Sequence, residues 1–140
     1  MPNVDNIFDL FNDGENKNDK SPPPVLLTED SCEFNLGMFT KLIQNNIVFN
    51  QKINKFFKKI EREYEEEETK KASEFTTFNR AWNYVRRVDI DDPELVAIII
   101  NYDISLLKDS LERAIQYFED SEQYERCAHM HKIYKLVKSV

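Results

Sequence analysis

An all-α fold is predicted for this chain: a helical bundle with one long helix, a C-terminal helical hairpin and a disordered N-terminal arm. Three observations predict it. Only two glycines occur in 140 residues, the second at Gly37, so the tight turns of a sheet protein lack their usual residue. Glu, Lys, Leu, Ile and Phe dominate the composition, which suits long helices. Beyond Met38, apolar side chains recur every three or four positions, the period of a single helix face.

Residues 1–31 read as the arm and residues 32–140 as the helical domain. The arm is rich in Asn, Asp and Lys, and its run Ser21-Pro22-Pro23-Pro24 favours polyproline II, because each proline fixes φ and lacks an N–H. Within it Ile7-Phe8-Asp9-Leu10-Phe11 is an apolar island. Large apolar residues in such surroundings do not repay the entropy of ordering unless they bind something. The island is therefore a candidate partner-binding peptide, and folding back onto the chain's own core is its other use. It resembles the pentapeptide by which many bacterial and phage proteins dock on the sliding clamp. Phe8, Asp9, Leu10 and Phe11 keep the apolar-acidic-Leu-Phe order, and Ile7 stands where that motif has Gln. The resemblance implies a sliding clamp or polymerase-type machinery as partner.

The long helix is predicted over residues 34 to about 71. Phe39, Leu42, Asn46, Phe49, Ile53, Phe56 and Ile60 follow alternating steps of three and four, the a/d seam of a coiled coil, with Asn46 as its buried polar specifier. These are the candidate seam residues of a homodimer. Ile43, Phe57 and Tyr64 widen the apolar face beyond such a seam, which favours the spine of an intramolecular bundle. Past Ile60 the chain becomes acidic from Glu61 to Glu68. There Glu66 with Lys70 and Glu67 with Lys71 stand in the favourable i to i+4 order, each pair contributing about 0.2–0.5 kcal/mol. The run reads as a solvated helix end, or as a lure for a basic partner. Lys52, Lys55, Lys58 and Lys59 flank the seam on its solvent side.

Residues 74–138 are predicted to hold a second helix, a fresh helix start and a hairpin. Phe75, Phe78, Trp82 and Val85 make an apolar stripe, with Trp82 as its anchor and Arg80, Arg86 and Arg87 off it. Asp92-Pro93 is a start signal, since Asp caps and Pro tolerates the first helical position. Ile104, Leu107, Leu111, Ala114, Ile115 and Phe118 then repeat at helical spacing. The pattern breaks at Glu119-Asp120-Ser121-Glu122 and resumes along Tyr124, Cys127, Ala128, His131 and Tyr134. On that spacing Tyr124 and Ala128 are expected to face Leu111, Ala114 and Phe118, so that Ala128→Glu would bury a carboxylate. Arg113, Tyr117 and Lys132 are expected to be exposed and to bind a partner.

The line from Leu111 through Ala114, the acidic turn, Glu122-x-Tyr124-Glu125 and Ala128 to Ile133 and Leu136 resembles the UVR motif. That small helical hairpin occurs in subunits of the bacterial excision-repair nuclease and in some protease adaptors. The resemblance spans residues 104–137 and departs at His129-Met130-His131, where the family has a charged pair. It implies a docking element and names no reaction.

Net charge is −7, which disfavours phosphate backbones and argues against direct nucleic-acid binding. Cys32 and Cys127 form no C-x-x-C pair and no signal-like apolar run precedes them, so a cytoplasmic, reducing setting is expected, the host cytoplasm if the chain is phage-encoded. The abundance of Asn, Lys, Ile, Tyr and Phe is of the kind that AT-rich genomes, such as those of bacteriophages, encode. The longest apolar run, Leu95 to Ile100, is far short of the ~20 residues of a membrane span. Cys127 and His131 are half of a zinc site by spacing, without a second pair, so no metal or cofactor is expected. No phosphate loop or catalytic triad pattern occurs, and an enzyme is not expected. The reading is a non-enzymatic adaptor of replication, repair or transcription machinery that holds one partner on its helical body and another on its arm. A structural or assembly protein that self-associates through the long helix is the alternative.

Overall fold

The computed structural model describes residues 31–140; the Ile7–Phe11 peptide and the rest of residues 1–30 lie outside the described residues. Five α-helices and no strand make up the described residues: α1 (Cys32–Ile60), α2 (Glu63–Val85), α3 (Leu95–Ile100), α4 (Ile104–Asp120) and α5 (Tyr124–Ser139). Two antiparallel hairpins, α1–α2 and α4–α5, pack on each other through α1 and α4, and α3 closes the base. No described helix is long and apolar enough to cross a membrane.

The predicted helix over 34 to about 71 is corrected. The chain reverses at Glu61, and α2 then runs without interruption across residues 71–74 to Val85. The reversal is a Schellman turn: Glu61 adopts φ 56°, its N–H donates to the Lys58 carbonyl, and the Arg62 N–H donates to that of Phe57 at 3.1 Å. The α4–α5 turn is built alike, with Glu122 at φ 59°, its N–H on Glu119 and that of Gln123 on Phe118 at 2.8 Å. Both turns carry Phe four residues before a left-handed Glu. Sequence pattern exposed the second because the apolar stripe stops there; the first was hidden because glutamate is a good helix former and no glycine marks it.

At its start α1 is capped by Ser31, whose Oγ accepts from the Phe34 N–H at 3.3 Å, with Glu33 in the first turn. At Gly37 a Cβ would stand 2.7 Å from the Tyr102 hydroxyl, which donates to the Glu33 carbonyl, so a larger residue would have to displace that hydroxyl. Asp92 caps a turn ahead of α3, not a helix at Pro93; its Oδ1 accepts from the Glu94 N–H at 2.9 Å and helix begins at Leu95.

One apolar cluster joins all five helices: Leu36, Phe39 and Ile43 of α1, Phe78, Ala81 and Val85 of α2, Leu95 and Ile99 of α3, the α4 stripe, and one row of α5. On α4 that stripe is the predicted one, Leu107, Leu111, Ala114, Ile115 and Phe118 all being buried. On α5 the inward row is Cys127, Met130, Ile133 and Val137, whereas Tyr124, Ala128 and His131 are exposed. The expected face was rotated by one residue, because Met130 and Val137 bury more apolar surface than Ala128 and His131 and no polar atoms. Likewise Phe75 leaves its predicted stripe and is 64 % exposed, while Ala81 takes the inward place.

Two outcomes follow for urea unfolding. Met130→Ala or Ile133→Ala should lower stability by about 2–5 kcal/mol, and Ala128→Glu by less than about 0.5 kcal/mol. Glu61→Gly and Glu122→Gly should each raise it by about 1 kcal/mol, because glycine adopts positive φ without a Cβ clash; a loss at either site would mean that the glutamate side chain holds its turn.

Candidate partner-binding groove

The apolar cluster draws on α1 only as far as Ile43, with Phe57 buried separately towards the distal turn. Beyond that level α1 and α2 continue as a two-helix layer, and α4 leans against its side. Gln44 ties the start of the contact, donating to Asp109 at 3.0 Å and to Ser110 at 2.9 Å. Tyr117 ties it higher up, stacked on Phe78 of α2 with centroids 4.5 Å apart and planes at 15°. Between α1, α2 and α4 lies a groove of about 490 Å³.

Its walls come from three helical rows. From α1 come Ile43, Asn46, Ile47, Asn50, Gln51 and Asn54; from α2, Lys70, Glu74 and Phe78; from α4, Arg113, Gln116, Tyr117 and Asp120. The i, i+4 spacing of Asn46, Asn50 and Asn54 puts an amide at each turn of α1. The Asn50 side-chain amide donates to Asn46 Oδ1 at 3.3 Å, and the Asn46 Nδ2 donates to Ser73 Oγ of α2 at 2.6 Å. At the end of this relay Asn50 Oδ1 is buried and accepts no hydrogen bond among the described residues. Such an orphan acceptor costs roughly 1–3 kcal/mol while it stays unpaired. Charges of both signs rim the site: Lys70 pairs with Glu66 at 2.9 Å, and Arg113 Nε donates to Asp109 at 2.9 Å. Burial, and then the Glu74 charge, hold the Tyr117 phenol above its ordinary value of 10.0, so it stays neutral at physiological pH.

Of the predicted partner-binding residues, Arg113 and Tyr117 meet in this groove and Lys132 does not; it is exposed on α5. Tyr117 is half-buried against Phe78, contrary to the exposed position expected of it, because the ring completes the α2–α4 contact. The candidate seam divides. Phe39 and Asn46 turn inward against the chain's own helices, Leu42 and Ile53 are half-buried, and Phe49, Phe56 and Ile60 are exposed at 41 %, 55 % and 42 %. Asn50, Asn54, Gln51 and Gln116 were missed in the sequence. The row of asparagines one turn apart was the available signal.

At the far side of the groove's floor, Trp82 meets Phe118 edge to face at 6.3 Å and His129 at 5.7 Å. Arg126 lies over both Trp82 and Phe118, at 5.3 and 5.2 Å, and donates to Asn79 at 3.0 Å. His129 Nε2 is 2.9 Å from the Val85 carbonyl oxygen, which only accepts, so this nitrogen carries the proton and satisfies the end of α2. Cys127 and His131 do not converge as a half zinc site: the thiol is buried on the Ile115 carbonyl at 3.5 Å, and the imidazole faces out towards Glu119 at 3.8 Å.

Cys32 and Asp92 form a polar pair at the base, the thiol donating to Asp92 Oδ2 at 3.2 Å. The Glu94 N–H, and then this thiol, hold the Asp92 carboxyl below its ordinary 3.8, whereas burial pushes the Cys32 thiol above 9.0. The stability Asp92 contributes is whole above pH 3.8 and is lost as pH falls through its lower folded value. For Cys32 it is whole below pH 9.0 and lost as pH rises through its higher folded value. The gap in urea midpoint between wild type and Asp92→Asn should therefore be constant at neutral pH and close below pH 3.8; a gap unchanged in acid would show that the charge is not what Asp92 contributes.

No protein-family model, curated protein or solved structure matches this chain.

Proposed function

We propose that the chain is a non-catalytic protein–protein interaction adaptor whose α1–α2–α4 groove takes an extended peptide segment of a partner. The observation that carries the reading is the row of amides, Asn46, Asn50 and Asn54, one turn apart along the α1 wall of a groove that holds further amides at Gln51 and Gln116. Successive asparagines on α1 rise by about 6 Å, and an extended strand presents backbone groups to one side about every 6.6 Å. Asn50 and Asn54 thus match the spacing of such a peptide's backbone, while Ile47, half-buried on the same wall, offers an apolar contact to one of its side chains. Neutral amides bind and do not exchange protons at neutral pH, which favours recognition over catalysis. A net charge of −7 favours a protein partner over nucleic acid.

The arm adds a second attachment point in this proposal, the Ile7–Phe11 peptide capturing another protein and raising the effective concentration of the two partners. A setting in replication, repair or transcription, with a sliding clamp or polymerase-type machinery as partner, rests on the clamp-peptide and UVR resemblances. The proposed setting is cytoplasmic.

Panning a displayed random-peptide library against the full chain tests the groove. Peptides with alternating apolar residues should be enriched, and Asn50→Ala or Arg113→Ala should weaken their binding about tenfold, or about 1.4 kcal/mol, with the thermal unfolding midpoint unchanged for Arg113→Ala. Enriched peptides that bind wild type and both variants equally would overturn the reading.

A further inference from the structure

Arg80, Arg86 and Arg87 line a cleft of about 420 Å³ at the base of the α1–α2 hairpin, with Asn83, Tyr84 and Phe34 as its other walls. The Phe34 and Tyr84 rings meet edge to face at 6.0 Å, so the lining combines apolar ring surface with three guanidiniums. Arg80 and Arg87 are seven residues apart, about 10 Å along the helix axis at 1.5 Å per residue.

Among the described residues the arginine side chains with polar partners are Arg62, Arg113 and Arg126; those of Arg80, Arg86 and Arg87 have none. Glu33 adjoins Phe34 in sequence and Asp89 follows Arg87 by two residues, but neither lines the cleft, and Asp89 Oδ1 accepts the Asp91 N–H at 2.9 Å. The C-terminal end of α2 adds a partial negative charge of about half a unit, which offsets only part of three positive ones. Like charges gathered in a cleft favour an anionic occupant, and the guanidinium fork fits a carboxylate.

The chain supplies such an anion itself. Residues 25–30 lie outside the described residues, and their sequence, Val25-Leu26-Leu27-Thr28-Glu29-Asp30, holds two carboxylates, three aliphatic side chains and no basic residue. This segment joins α1 at its N-cap, Ser31, three residues before the lining residue Phe34. We infer that residues 25–30 dock in the cleft, with Glu29 and Asp30 on the guanidiniums and Leu26 and Leu27 on the Phe34 and Tyr84 rings. From Ser31 back to Leu26 an extended chain covers about 17 Å, more than the span from Arg87 to Arg80, so the reach is sufficient. The tether is a few residues long and keeps the segment at millimolar effective concentration, where exposed ion pairs that are individually weak hold it in place. Docked there, the segment fixes where residues 1–24, with the Ile7–Phe11 peptide, leave the helical body. The α1–α2–α4 groove shares no lining residue with the cleft and stays open.

Hydrogen exchange of the full chain, read by mass spectrometry on peptides that span residues 25–30, tests this. In wild type at low salt these amides should exchange about tenfold more slowly than in a free peptide of the same sequence. Arg86→Glu with Arg87→Glu should remove that protection and leave the helical circular dichroism intact, both positions being exposed. Glu29→Arg with Asp30→Arg should remove it as well, and joining the two pairs in one chain should restore most of it. Amides unprotected in wild type would overturn the inference and leave the cleft to an external anion. Protection that survives the arginine changes, or a combined variant no better than either pair, would overturn it by placing the segment elsewhere, and protection that grows with protein concentration would overturn it by moving the segment to a second copy. None of these outcomes touches the peptide-panning result for the groove.

Discussion

Phe118 is the side chain on which the rest of the structure depends. It is 1 % exposed, the edges of Phe78 and Trp82 meet it from α2, and Arg126 of α5 lies over its ring. Its carbonyl also accepts the Gln123 N–H that closes the α4–α5 turn. One residue thus ends a helix, orients the helix after it and seats both on α2. The guanidinium is held by the ring faces and by Asn79, so the charge remains at the rim of the core and escapes the penalty of full burial.

From this anchor the two hairpins acquire different characters. The α4–α5 hairpin is packed along its length, with buried residues from Leu107 to Val137. By contrast, the α1–α2 hairpin is packed at its base and reaches past the core, because α1 is 29 residues long and α4 only 17. The difference in length creates both surfaces of interest. Where α4 leans on the projecting layer it leaves the groove; where no helix follows, α1 keeps its apolar row in contact with solvent.

The groove and the uncovered face divide the residues of a single heptad pattern. Asn46 belongs to the inward row, hydrogen-bonded to Ser73 and at the head of the asparagine row. Phe49, Phe56 and Ile60 belong to the opposite flank. A coiled-coil seam and a bundle spine were competing readings of those residues, and the structure turns part of the pattern inward and leaves the rest exposed.

By itself the sequence determined the helical class, the α4 stripe and the turn after Phe118, because each follows from local period and propensity over a few turns. The inward face of α5 was decided by tertiary structure, since Tyr124, Ala128 and His131 are spaced as regularly as Cys127, Met130 and Val137. Docking on Phe118 and the bond of His129 to the Val85 carbonyl chose between them. The reversal at Glu61 was likewise tertiary, a non-glycine residue being driven to positive φ by the gain from packing α2 back on α1. The groove was illegible for a simpler reason: its asparagines are ordinary polar residues on one helix until α2 and α4 supply the other two walls.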